Sequence, residues 1–295
     1  MANTGDAREK SFIWQPGEQG ERGVAVMGIV NRTPDSFYDR GATFALDAAV
    51  AVALAHTAAG AQLVDVGGVP FGAGPAVSEQ EEIDRVVPVV AAIRAASDVA
   101  VSVDTFNAEV ARLSIQAGAA VINDTSGLFD ERMPRVVAAS GATLVLTHSL
   151  APPRSAPPRP EYVDVVDEVV AFLRDRVERA VAAGIPAERL VVDPGHDLNK
   201  NTLHSLELTR RLEEVVAIGP PTLVAVSRKD FVGESIGAAK EHRLEGSLAA
   251  AVACVLKGAR IVRVHDVAAT VAAMRMTEAL LGLRPPAYLR HNMGE

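Results

Sequence analysis

The 295-residue chain has one cysteine, Cys254, so no internal disulfide framework can form, and aromatics are only 4% of residues, too few for a base-stacking surface. Basic surplus is also missing: the formal charge is -8, which gives no electrostatic reason to bind nucleic acid. The opening MANTGDAREK lacks an apolar signal core, and charge breaks the alanine-rich segments before any run of 18 apolar residues. A soluble cytoplasmic protein with no membrane or nucleic-acid partner is expected. No His/Cys/Asp triad stands at zinc spacing, and no G-x-G-x-x-G turn follows the first apolar run. Cys254, inside AAAVACVL, reads as a core side chain.

What is present is an alternation. Eight apolar or β-branched runs, at 24–30, 63–66, 100–103, 120–122, 143–146, 190–192, 222–226 and 259–264, are separated by segments with helical apolar stripes. Those segments are 47–59, 79–96, 107–117, 131–139, 162–183, 202–217, 241–257 and 267–281. Short buried strands alternating with longer helices suit a parallel sheet covered on its outer face. Eight such units predict a single-domain (β/α)₈ TIM barrel over about 21–283, with an N-terminal arm at 1–20 and a tail at 284–295. Four glycines, in AGAQ, AGAA, SGAT and KGAR, mark junctions where a helix turns into a strand.

The runs end in Asn31, Asp65, Asp104, Asn123 with Asp124, His148, Asp193, Ser227-Arg228-Lys229 and His265-Asp266. In a barrel these ends share one rim, where so much buried polarity is costly without partners. Helix capping accounts for some of them singly, notably Asp104, Asp124 and Asp266. It does not account for all eight.

A heteroaromatic ligand with an amide edge and an exocyclic amine wants a carboxylate, an amide and a cation, which Asp193, Asn123 and Lys229 would supply, with Asp104 beside them. Arg263 and His265 alternate on one strand and would face an anion together near Lys229; an Arg263 to Asp pair that only holds the barrel shut is the plainer reading. A hydrated Mg²⁺ on Asn31 and phosphate oxygens is compatible with so few ligands. Two loops interrupt the pattern: polar residues 31–41, suited to a mobile rim loop, and 151–160, with five prolines in ten residues, a stiff excursion with no evident catalytic role.

Together MGIVNRTPDSF (27–37), DVGG (65–68), VDT (103–105), IND (122–124), DPG (193–195) with Lys200, SRK (227–229) and RVHDV (263–267) resemble dihydropteroate synthase. The resemblance runs from about residue 24 to 282. It implies a homodimeric barrel that joins 6-hydroxymethyl-7,8-dihydropterin pyrophosphate to 4-aminobenzoate and releases pyrophosphate. Asp104, Asn123, Asp193 and Lys229 would hold the pterin, and Asn31, Arg263 and His265 the pyrophosphate with its Mg²⁺. Arg263, His265 and Lys229 are then the groups closest to the chemistry.

Two stretches depart from that family. Where it has Glu-Ser-Thr-Arg-Pro-Gly, this chain has VPFGAG (69–74), so Phe71 replaces the threonine and Gly72 the arginine. Where it has Gly-Phe-Gly-Lys, this chain has His196-Asp197-Leu198-Asn199-Lys200; Leu198 offers no aromatic face, and Asp197 would repel a carboxylate. Arg32 and Arg40, on the first loop, are the candidate substitutes for the lost cation. Thr147 stands where a methionine is usual. With the pterin half kept and the aminobenzoate half altered, the chain resembles a divergent second-copy branch in which condensation onto 4-aminobenzoate, or another amine, is weak or lost. An authentic synthase with a rebuilt loop, a non-catalytic pterin sensor or structural partner, and the pterin domain of corrinoid methyltransferases stay open as alternatives.

Overall fold

The computed structural model describes residues 23–32, 46–70, 72–156 and 158–292. The expected arm at 1–20, most of the first loop with Arg40, Phe71, and the last three residues lie outside them.

Eight strands, β1 (Ala25–Asn31), β2 (Leu63–Gly67), β3 (Ala100–Asp104), β4 (Val121–Asp124), β5 (Thr143–Thr147), β6 (Leu190–Asp193), β7 (Leu223–Val224) and β8 (Ile261–Val264), form one sheet in the order β6-β5-β4-β3-β2-β1-β8-β7. Every pairing is parallel. A single bridge, Val192 to Thr222, brings the two ends together and makes the sheet a (β/α)₈ barrel. Around it lie α1 (Leu46–Ala58), α2 (Glu79–Ala96), α3 (Ala108–Gln116), α4 (Met133–Ala138), α5 (Val165–Ala182), α6 (Thr202–Arg210), α7 (Leu212–Val216), α8 (Asp230–Ile236), α9 (Leu244–Leu256) and α10 (Val267–Leu280).

Local chemistry explains most boundaries. Ser78, Asn107, Asp164 and Asn201 cap α2, α3, α5 and α6 by accepting N–H bonds from the first turn. Gly60, Gly118 and Gly258 end helices at positive φ, as the repeated glycines predict. Gly141 does not; there Ser140 donates to the Val137 carbonyl and accepts from Ala142 N–H, closing α4 with a side chain.

Three expectations need correction. The helix expected at 202–217 breaks at Arg211, whose guanidinium is turned to Asp164, Asp167 and Glu214. The strand expected at 222–226 is only two residues long, Leu223–Val224, with Thr222 outside it in an isolated bridge to Val192. And α8, unforeseen, follows β7, its first N–H groups accepted by an aspartate from another loop.

Packing divides the strands by parity. Val64, Val66, Val101, Val103, Ile122, Leu144 and Leu146 face outward to the helices on one side of the ring, and Val192, Val224, Val262 and Val264 on the other. The opposite parity fills the lumen with Ala25, Met27, Leu63, Val121, Val145, Val191, Leu223 and Ile261. Cys254 is fully buried in the outer layer, as a core residue.

Candidate functional site

Counting upward by two from the apolar lumen layer, since alternate residues of a strand share a face, leads to a polar layer. From Leu63 it reaches Asp65, from Ala100 Ser102 and Asp104, from Val121 Asn123, from Val145 Thr147, from Val191 Asp193, from Ile261 Arg263 and His265, and from Met27 Asn31. Asp124 has the wrong parity. Its carboxylate accepts from Ser126 N–H and Oγ and from Leu128 N–H, so it shapes the loop after β4.

Arg263 sits at the centre of this layer. Its Nε donates to Asp65 Oδ2 at 2.6 Å and its Nη2 to Asp104 Oδ2 at 3.0 Å. Asn123 Nδ2 donates to the same Asp65 oxygen at 3.1 Å, and Thr125 Oγ1 to Asp104 at 3.1 Å. The plainer reading of Arg263, an ion pair across the lumen, is therefore its geometry here, though neither bond uses Nη1. Burial pushes the Asp104 carboxyl up to about 6 against the opposing pull of Arg263. Asp65, with 0% exposure, was legible as a strand end but had no assigned role; parity would have placed it beneath Asp104. Two buried acceptors, Asp65 Oδ1 and Asn123 Oδ1, have no hydrogen-bond partner among the described residues, and such oxygens call for donors.

Asp193 and Lys229 complete the layer. Asp193 Oδ1 accepts from Gly195 N–H at 2.8 Å, so the turn-forming reading holds for one oxygen. Burial raises its carboxyl, offset by the charges of Lys229, Lys200 and Arg263. Burial likewise lowers the Lys229 ammonium, which Asp197 and Asp193 support; it donates to the His196 carbonyl. His265 packs against Ser227, with Nδ1 at 3.1 Å from its Oγ, and burial then Arg263 push its imidazole down to about 3, so it is neutral near pH 7. Between Ser227 and Lys229, Arg228 turns outward at φ 56° and grips Asp266 with Nε and Nη2. Asn31 ends β1 opposite Gly67.

Under Asp193 lies a second buried pair. Lys200 Nζ is 2.8 Å from His148 Nδ1 and donates to the Gly195 and Leu198 carbonyls at 3.0 Å each. Burial draws this lysine down to about 7 and the imidazole to about 2. The two carbonyls tie the lysine to both ends of the 195–198 turn, and it acts as a brace for that turn. Asp197, expected to repel a carboxylate, directs Oδ2 to the N–H groups of Asp230 and Phe231 at the start of α8 and Oδ1 to Ser205.

A cleft of about 180 Å³ opens over Asp104, walled by Pro70, Thr125, Pro153, Arg154 and Leu198. Below the ~300 Å³ of ordinary drug-sized pockets, it suits one small ring. Asp104 alone among the expected pterin residues lines it; Asn123, Asp193 and Lys229 belong to the lumen layer.

The pterin binding enzyme family profile matches residues 27–265. The chain belongs to the dihydropteroate synthase family. Inactive dihydropteroate synthase 2 of Mycobacterium leprae (strain TN) is 48% identical over 267 residues, 88% of this chain and 92% of that protein. Dihydropteroate synthase of Escherichia coli (strain K12) is 42% identical over 260 residues, again 88% and 92%. The crystal structure of Yersinia pestis dihydropteroate synthase in complex with a sulfonamide drug superposes with a TM-score of 0.85 and 41% identity, over 90% of this chain and 96% of that one.

Among the described residues of this family member, no three His, Cys, Asp or Glu side chains cluster as metal ligands, and no helix is long and apolar enough to cross a membrane. The polar layer gathers Asp104, Asn123, Asp193, Lys229 and Arg263, with Asp65 added. Asn31 and His265 stand at the rim by parity, and Arg154 was missed, because its partners lie some 80 residues away in sequence.

Proposed function

We propose that this chain holds 6-hydroxymethyl-7,8-dihydropterin pyrophosphate at its barrel rim and that condensation onto 4-aminobenzoate is weak or lost. The observation that carries the reading is the lumen layer of Asp65, Asp104, Asn123, Asp193, Lys229 and Arg263, with two buried acceptor oxygens left for donors. A pterin offers ring N–H groups and an exocyclic amine to such carboxylates. Lys229 would hold the pterin beside Asp193, and Arg263 with the rim residue His265 would meet the diphosphate, the neutral imidazole as a hydrogen-bond donor. Mg²⁺ would be held chiefly by diphosphate oxygens and water, with Asn31 as one amide ligand, a donor set that ion accepts; once bound, it would offset charge on the leaving pyrophosphate.

Weak condensation is supported by the second loop, where Gly72 offers neither hydroxyl nor cation, and by the Mycobacterium leprae relative, itself described as inactive. The Escherichia coli relative, at 42% identity, favours the second reading, an authentic synthase with a rebuilt loop. A homodimer is supported by exposed Leu256, Met276 and Leu280 on adjoining helices α9 and α10. Cys254, buried as a free thiol, suits a reducing cytoplasm.

Titration calorimetry with the pterin pyrophosphate and Mg²⁺ is expected to show binding, and pyrophosphate release with 4-aminobenzoate to be slow or silent. No heat at millimolar ligand would end the pterin reading. Release at an ordinary synthase rate would establish the second.

A further inference from the structure

The proline-rich excursion after β5 reaches across the cleft. At its root Asn199 Oδ1 accepts from Leu150 N–H at 2.7 Å, Ala151 N–H at 3.1 Å and Ser149 Oγ at 3.3 Å. Pro152 and Pro153 stiffen the next step, and Ser155 closes a turn by donating from N and Oγ to the Pro152 carbonyl at 3.2 and 2.7 Å. At the tip of this turn Arg154, at φ 62°, extends its guanidinium into the second loop. Nη1 donates to the carbonyls of Pro70 and Gly72 at 2.6 Å each, and Nε to that of Pro75 at 3.1 Å. The contact is returned, since Gly74 N–H donates to the Arg154 carbonyl at 3.2 Å.

The recipient needs such a hold. Gly72 and Gly74 give the second loop little to pack, and a Cβ at Gly72 would meet nothing within 4 Å. Loops of this kind lose much conformational entropy when ordered. A guanidinium reaching three carbonyls by a rigid fork supplies order from outside, as a lysine's single point charge cannot do in full. Gly74 is shaped for it: a Cβ there would stand 2.2 Å from Arg154 Nη2.

We propose that Arg154 is a positioning residue, and that the 149–155 excursion clasps the second loop and fixes the wall of the cleft in which the second ligand of this site is held. The clasp stands on geometry alone, whereas its role toward a ligand rests on the pterin reading above. In the closed arrangement the cation is turned onto backbone oxygens, so it acts through the loop and not by pairing with ligand.

Amide hydrogen exchange on the free protein tests the clasp. In Arg154→Ala, amides of residues 72–79 are expected to exchange at least about tenfold faster, with the strands unchanged; Arg154→Lys should fall between. Gly74→Ala should reproduce the effect from the opposite side, and the double variant should be no worse than either single one, because both break the same contact. Unaltered exchange in that loop, additive effects, or equal acceleration through the whole barrel would overturn the clasp. For the ligand, Arg154→Ala should weaken 7,8-dihydropteroate, which spans both halves, about tenfold, and leave the pterin pyrophosphate constant alone. Equal weakening of both, or dihydropteroate affinity unmoved or absent while the pyrophosphate binds, would remove the cleft's role. If the wild-type chain binds neither compound, the pterin reading fails, and exchange still decides the clasp.

Discussion

At the scale of the residue, Asp104 joins the lumen layer to the cleft, so its ionisation bears on both. Its carboxyl is raised from the ordinary 3.8 to about 6, first by burial and against the pull of Arg263. Protonation is therefore favoured in the folded chain, and this group's contribution to stability is whole below pH 3.8 and lost as pH rises through 6. Ligand binding runs the other way, since ring N–H donors need the carboxylate. Pterin affinity measured by calorimetry is expected to rise between pH 5 and 7.5 with a midpoint near 6, and Asp104→Asn should flatten that step while weakening binding by about 1.5–3 kcal/mol. A step that persists in the variant would assign the titration to another group. Asp104, Asn123, Asp193 and Lys229 were legible in sequence because each closes or follows a short apolar run, and Arg263 because it interrupts one in alternation with His265. The Arg263 pairing to both Asp65 and Asp104 was not, since it spans 198 and 159 positions and depends on which strands face across the lumen.

At the scale of the element, the turn from β6 to α6 shows how one connection serves several neighbours. Asp193 holds its start, Lys200 supports it from below, and Asp197 leaves it to cap α8. The sequence announced the turn through Asp-Pro-Gly, but α8 could not be read locally, because its cap comes from a residue 33 positions earlier. Gly195 is the pivot: its φ is 67°, and a Cβ there would lie 2.2 Å from the His148 carbonyl oxygen, a backbone atom that cannot swing aside. Left-handed strain and overpacking, each about 1–3 kcal/mol, predict that Gly195→Ala costs about 2–6 kcal/mol, read as a lowered urea midpoint at unchanged slope. A loss under about 1 kcal/mol would show that the turn yields freely and does not fix Asp193.

At the scale of the whole molecule, the closed barrel is legible from eight alternating units, yet the thinness of its closing seam is not, because β7 keeps only two residues as strand. Neighbouring strands β1 and β2 share five registered pairs, and β2 and β3 another five. Between β6 and β7 the ring holds by the Val192 to Thr222 bridge, with Val192 N–H donating to the Pro221 carbonyl at 3.0 Å. Fewer cross-strand hydrogen bonds mean less to break when the sheet opens locally, and Asp193 and Thr222 flank that gap. The seam should therefore open before the rest: in native-state hydrogen exchange the Val192 amide is expected to exchange at least about tenfold faster than buried amides of β2, which should follow global unfolding. A pterin bound to Asp193 and Lys229 touches both sides of the seam and should slow exchange there more than in β2. Uniform protection around the ring, with or without ligand, would show that the outer helices, not the strand pairing, set the order in which the barrel opens.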